Sequence, residues 1–214
     1  MPDPTDVITS QHIASFQAVI NAVDKHLEKI KPKAAKITYF KKRLKEFATT
    51  RKNLIARIKK IEGGIGSLPR QDGSVNSLIT DLKTYKKEVE TVSGQSHQMV
   101  YMFGNSKVKT AQALEAKVKA ALPQSCKSNA SQAVNDAVGG KGKDASKAGT
   151  GVLHASAGKT GVSSCTVFFR RLEVHDGLET HVIVDAVGSH DASSSYQIHW
   201  SNSSKLKAGK VFAF

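Results

Sequence analysis

The residues best suited to chemistry gather in the last third of the chain. Four of the eight histidines, His175, His181, His190 and His199, fall in the final 40 residues. Just ahead of them the segment LHASAGKTGVSSC (153–165) holds His154, Ser156, Lys159, Thr160, Ser163, Ser164 and Cys165 within 13 positions. Histidine titrates near neutral pH, so two of them can serve one reaction as base and acid. A lysine or arginine beside such a pair would hold a charged phosphate. Cys165 offers a different chemistry, attack by a thiolate. A single strand histidine is most often an ordinary polar position, so convergence is the criterion. No metal is expected, because no His-x3-His or HExxH spacing occurs and the nearby carboxylates are scattered. The AGKT run lacks the first glycine of a phosphate-binding loop, since Leu153 stands there. No cofactor is therefore assigned.

The elements around these residues set which of them can meet. TVFFRRL (166–172) and HVIVDAV (181–187) read as strands around a polar turn at Asp176-Gly177. Opposed positions of that hairpin sum to about 353, which sets 163–165 against 188–190. Ser163, Ser164 and Cys165 then approach His190, with His154 and Lys159 in the preceding loop within reach. Arg170 and Arg171 are adjacent on the first strand, so one of them faces the open side of the sheet. YQIHW (196–200) reads as a third strand carrying Tyr196, His199 and Trp200, residue types that contact or stack on a nucleobase. Lys210–Phe214 makes a short fourth. The expectation is a four-stranded antiparallel meander, with ASQAVNDAV (130–138) as a covering helix.

The helix-then-sheet order and the VFFRR…HVIVDAVGSH hairpin resemble the metal-independent ribonuclease toxins, the RelE-type and colicin-type RNases, over about residues 126–214. The resemblance implies His190 and His154 as base and acid, with Lys159 and Arg170 or Arg171 as the phosphate clamp. Tyr196, His199 and Trp200 would then contact the substrate. GVSSCTVFF followed by DGLETHVIV resembles the Ser-x-Cys…His pattern of glutamine deamidases, CheD and the cytotoxic necrotizing factors. That resemblance implies Cys165 as nucleophile and His181 as its partner beside Ser164. The hairpin register favours His190 in that partner role instead, and Ser164 stands where the necrotizing factors have glycine. A helical module ahead of a small catalytic domain is also similar to the layout of bacterial polymorphic toxins and secreted effectors.

The rest of the chain must carry this region. With 214 residues there is room for one or two domains. The chain is 39% hydrophobic, enough to bury a core. It holds 32 Lys+Arg against 18 Asp+Glu, a net charge of +14, which favours nucleic acid, an anionic membrane surface or an acidic protein. Two cysteines exclude a disulfide-rich scaffold. Ile13, Phe16, Ile20, Val23, Leu27 and Ile30 form an a/d seam that Pro32 should end. A second seam runs from Ile37 to Ile61, with Arg51 interrupting it. A third runs from Val75 to Phe103, with Asp72 or Ser74 as N-cap. A last helix is expected over 107–122. The fold class expected is α+β: a long-helix bundle at 1–124, a helix and Gly/Lys/Ser linker at 125–151, and a small antiparallel domain at 152–214.

Three functions compete: a ribonuclease, a Cys-His deamidase acting on a protein, and a non-enzymatic coiled-coil adaptor. The expected partners are RNA or another nucleic acid and an immunity or antitoxin protein. The basic clusters Lys41-Lys42-Arg43-Lys45, Arg51-Lys52 and Arg57-Lys59-Lys60 face RNA phosphates, an anionic membrane, an acidic partner or simply water. The helices bind a partner or self-associate. No stretch is long and apolar enough for a transmembrane helix. The start MPDPTDVITSQ lacks a signal-peptide pattern, so synthesis in the cytoplasm is expected, with any export proceeding without a cleavable signal.

Overall fold

The structure is a computed structural model that describes residues 6–159, 163–192 and 195–213. The chain divides into two compact units: Met1–His97 with Asp176–Leu178, and Gln98–His175 with Glu179–Phe214. The fold is α+β, with long helices first and a sheet after them. The four-stranded antiparallel expectation is corrected: the sheet has eight strands and is mixed. Among the described residues, no helix is long and apolar enough to cross a membrane.

The first unit is built on α1 (Ser10–Ala34), α2 (Thr38–Glu62) and α3 (Gly73–Gly94). Their a/d seams face inward. Phe16, Ile20 and Val23 of α1, Phe40, Phe47 and Leu54 of α2, and Val75, Leu78 and Leu82 of α3 form one buried core. Pro32 does not end α1, which continues to Ala34. Proline removes one backbone donor, and the burial of Leu27 and Ile30 on the same helix offsets that loss. Arg51, the interruption in the second seam, is used: it holds Asp24 of α1 through two bonds of 2.7 and 2.6 Å. Asp72 caps α3, accepting from the Ser74 backbone N–H at 2.8 Å.

The second unit opens with β1 (Gln98–Phe103), β2 (Ser106–Val108), α4 (Ala111–Ala120) and α5 (Ala130–Val138). Then come β3 (Lys143–Asp144), β4 (Leu153–Ala157), β5 (Cys165–Val174), β6 (Glu179–Ala192), β7 (Ser195–Ser201) and β8 (Val211–Ala213). Strand order is β2-β1-β6-β5-β4-β3, with β7 also on β6 and β8 on β7. β6 is long enough to share one edge. Its first half pairs in parallel with β1, from Gln98↔Glu179 to Phe103↔Val184, and its second half pairs antiparallel with β7. Met99 and Phe103, read as the end of a helical seam, lie on β1. Residues four apart suit a helix, and the true partner of this strand lies far along the chain.

The hairpin register is as expected beyond one bulge. Phe169 opposes Val184 and Val174 opposes Glu179, both sums of 353, while Thr166 opposes Gly188. The bulge between Phe168 and Phe169 absorbs the extra residue. Val167 and Phe169 face α4 and α5, in a core with Leu114, Val118 and Val134. Phe168 faces the other way, into a smaller core with Tyr196, Ile198 and Leu206. The Gly/Lys/Ser stretch read as a linker contains β3 and the buried Ala145 and Ala148. Gly142 there is required by packing: a Cβ would come within 2.8 Å of the Phe169 ring and 2.9 Å of Leu153 Cβ.

Candidate functional site

Two histidines from different strands line one cavity of 770 Å³ at the β3–β4 edge of the sheet. His154 comes from β4 and His190 from β6. Lys141, Lys143, Asp136, Asp144, Ser156 and Tyr196 line it with them. Strand alternation explains the placement. His154 opposes Phe168, and His190 opposes Tyr196, so these rings gather on one face. The His154 ring centroid is 5.5 Å from that of Tyr196, and the His190 ring is 4.3 Å from it.

The two histidines sit in different environments. His154 is buried, and its Nε2 lies 3.3 Å from Tyr196 Oη. In the neutral tautomer that carries its proton on Nδ1, Nε2 is the nitrogen that accepts from the Tyr196 hydroxyl. Burial, and then the electrostatic influence of His190 and Lys143, push the His154 pKa down. It is therefore held neutral at pH 7. His190 stands nearer solvent. Its backbone N–H donates to Ser164 Oγ at 2.6 Å, and its Nδ1 is 3.4 Å from the Ala192 carbonyl. Burial raises the pKa of Tyr196, so its hydroxyl keeps its proton.

The other expected residues go elsewhere. Lys159 is exposed just after β4 and is not among the described residues lining the cavity. Residues 160–162 of the same segment lie outside the described residues. Arg170 grips the buried Asp185 through bonds of 2.6 and 2.8 Å and lines a different cavity with Lys205. Arg171 points to the opposite face and donates to the Val138 carbonyl at the end of α5. Trp200 stacks on Phe103 with centroids 3.8 Å apart. Tyr196 is buried edge-on against Phe168, so it serves as a hydroxyl rather than a stacking platform. His199 Nε2 is 2.9 Å from Ser189 Oγ in a further cavity of 420 Å³, with its pKa lowered by burial.

The thiol fares worse than the histidines. Cys165 and Cys126 are both buried and not bridged. Burial, with Cys126 beside it, pushes the Cys165 pKa to about 12. His181 opposes Leu172, seven positions along β5 from Cys165, or about 23 Å at strand rise. It sits 3.2 Å from Glu179 instead. The lysines that reach the cavity, Lys141 and Lys143, fall in the stretch read as a linker. Their signal was the alternating Lys-Gly-Lys before an acidic residue, legible only once that stretch is known to be a strand. Among the described residues, no three His, Cys, Asp or Glu side chains converge as a metal-ligand set. Comparison with protein-family models, with curated proteins and with solved structures gives no match to this chain.

Proposed function

We propose that the second unit is a ribonuclease that cleaves by transesterification, with His154 and His190 as its acid–base pair. The observation that carries this reading is that two histidines in unlike environments line one cavity with two lysines. A base must begin neutral, and the burial of His154 keeps it so. The Tyr196 hydroxyl already bonds His154 Nε2, and it relays the ribose 2′-OH proton to that nitrogen. The 2′ oxygen attacks the adjacent phosphorus and the P–O5′ bond breaks. His190, nearer solvent, gives its proton to the departing 5′ oxygen. Lys141 and Lys143 balance the charge gathering on the phosphoryl oxygens. The products are a 2′,3′-cyclic phosphate and a 5′-hydroxyl, and no metal enters the scheme. Arg170 and Arg171 leave the clamp, because each is committed to a structural partner. The resemblance to ribonuclease toxins extends this reading to a toxin or secreted effector with an immunity partner.

The deamidase reading has less support, since burial pushes the Cys165 thiol to about 12 and His181 lies seven positions away along the strand. The test is incubation of the full chain with RNA in EDTA, reading the ends formed. Cyclic or 3′-phosphate ends, unchanged by thiol alkylation, are expected. Intact RNA would overturn the proposal and leave the adaptor reading.

A further inference from the structure

Charge in the first unit is concentrated on one helix. Residues 1–97 hold eighteen Lys and Arg, and nine of them lie on α2, which carries only two acids, Glu46 and Glu62. Some of these cations are held by acids, Lys42 by Asp176 among them. All three arginines of α2 are taken: Arg43 by Glu46 and Glu88, Arg51 by Asp24, and Arg57 by Asp81. Lys41, Lys45, Lys52 and Lys59 are exposed and make no ion pair among the described residues. Their spacing of four, seven and seven puts them within about 40° of one another around the axis. They form a straight stripe, with successive steps of about 6, 10.5 and 10.5 Å.

We infer that this stripe is a docking rail for the phosphate backbone of RNA, resting on the ribonuclease reading above. The choice of occupant follows from what the face lacks. A membrane-binding helix inserts large apolar side chains beside its lysines. The exposed large apolar residues are Ile65, Leu172 and Val211, none of them on α2. A protein interface needs a buried aromatic or aliphatic anchor, and lysine is depleted in such patches. Between Lys41 and Lys59 the other exposed positions are small or polar, Glu46, Thr49 and Asn53 among them. A row of unpaired, flexible cations with no anchor suits a regularly charged polymer, which it binds by releasing counterions. The rail gives affinity without sequence preference.

The test uses the full chain and an oligonucleotide of 2′-O-methyl RNA, which cannot be cleaved through the 2′ oxygen. Binding is read as a function of salt. Lys41, Lys45, Lys52 and Lys59 are changed together to Gln. A control changes Lys29, Lys36, Lys83 and Lys87, exposed lysines of the same unit outside the stripe. The stripe variant should lose about 0.7 of log–log salt slope per contact, close to 3 units in all. The control should lose well under 1. Equal losses would overturn the rail and leave a diffuse charge effect. Binding of the parent chain to phosphatidylserine vesicles, lost in the stripe variant while oligonucleotide binding persists, would overturn it in favour of a membrane. Because the probe is uncleavable, failure of the rail is separate from failure of catalysis, which is read from RNA ends alone.

Discussion

The two faces of the sheet are made from neighbouring positions of the same strands, and they bury different chemistry. Toward α4 and α5, β5 sends Cys165, Val167 and Phe169 into a core with Leu114, Val118, Cys126 and Val134. Toward the other side it sends Thr166 and Phe168, which meet Ser156, Tyr196 and His154. On the first face a titratable group is silenced, as Cys165 is. On the second, Thr166 pairs with Ser156, and the Tyr196 hydroxyl lies 3.3 Å from Nε2 of His154, which lines the cavity. Burial alone therefore does not mark a reactive residue. Burial next to a polar relay that reaches a cavity does.

The contrast can be broken at several points. Phe169→Ala on the apolar face should cost about 3–5 kcal/mol in urea unfolding while cleavage per folded molecule persists. Loss of cleavage in the folded variant would mean that the two faces are not separable. On the polar face the pattern reverses. His190→Ala should lower RNA cleavage by about 10²-fold or more with little change in unfolding midpoint. A variant that cleaves as well as the parent would remove His190 from the reaction.

Arg170→Ala leaves Asp185 buried without its cation. The expected loss is about 2 kcal/mol, below that of a fully buried pair because 38% of the Arg170 side chain is exposed. A double-mutant cycle with Asp185→Asn reads the coupling directly, and a coupling near zero would show the pair to be ornamental. Cys165→Ala should cost about 1 kcal/mol from a small cavity and leave cleavage within twofold. Cleavage abolished by that change would return the thiol to the chemistry.

The smallest effect is on pH dependence. His154 has its pKa lowered below the ordinary 6.5 in the folded chain, so the unfolded chain takes up that proton first as pH falls. Its contribution is complete above about 6.5 and drains away as pH drops through the folded value. His154→Gln should flatten the stability curve across that window, and an unchanged slope would mean that His154 titrates normally in the fold.

The helical half was legible because the a/d seams are long and local: every core residue of α1 follows 3-4 spacing, and Asp72 announces its cap. The hairpin was legible because its turn and alternation fix the register within one bulge. What sequence did not display was any pairing across distance. β1 has helical spacing at Met99 and Phe103, and only β6 makes it a strand. β3 is two residues long and rich in lysine, with no periodicity to read. Site legibility follows the same rule. The hairpin register pointed to His190 and the polar segment before it to His154, but Lys141 and Lys143 depended on β3. Arg170 and Arg171 were misplaced because their partners, Asp185 in the bulge and the Val138 carbonyl, are tertiary facts.

The parallel pairing of β1 with β6 also has a consequence for biosynthesis. Gln98 of β1 must wait for Glu179, 81 positions later, to be made. At about 5–20 residues per second, the ribosome leaves that edge unpaired for roughly 4–16 s. Throughout that interval the run Met-Val-Tyr-Met-Phe, residues 99–103, has β2 on one side and nothing on the other. A nascent chain stalled before β6 therefore presents a sticky strand edge, the kind of surface that holdase chaperones cover. Completion of β6 covers that edge in one step, so its exposure ends with the synthesis of a single strand.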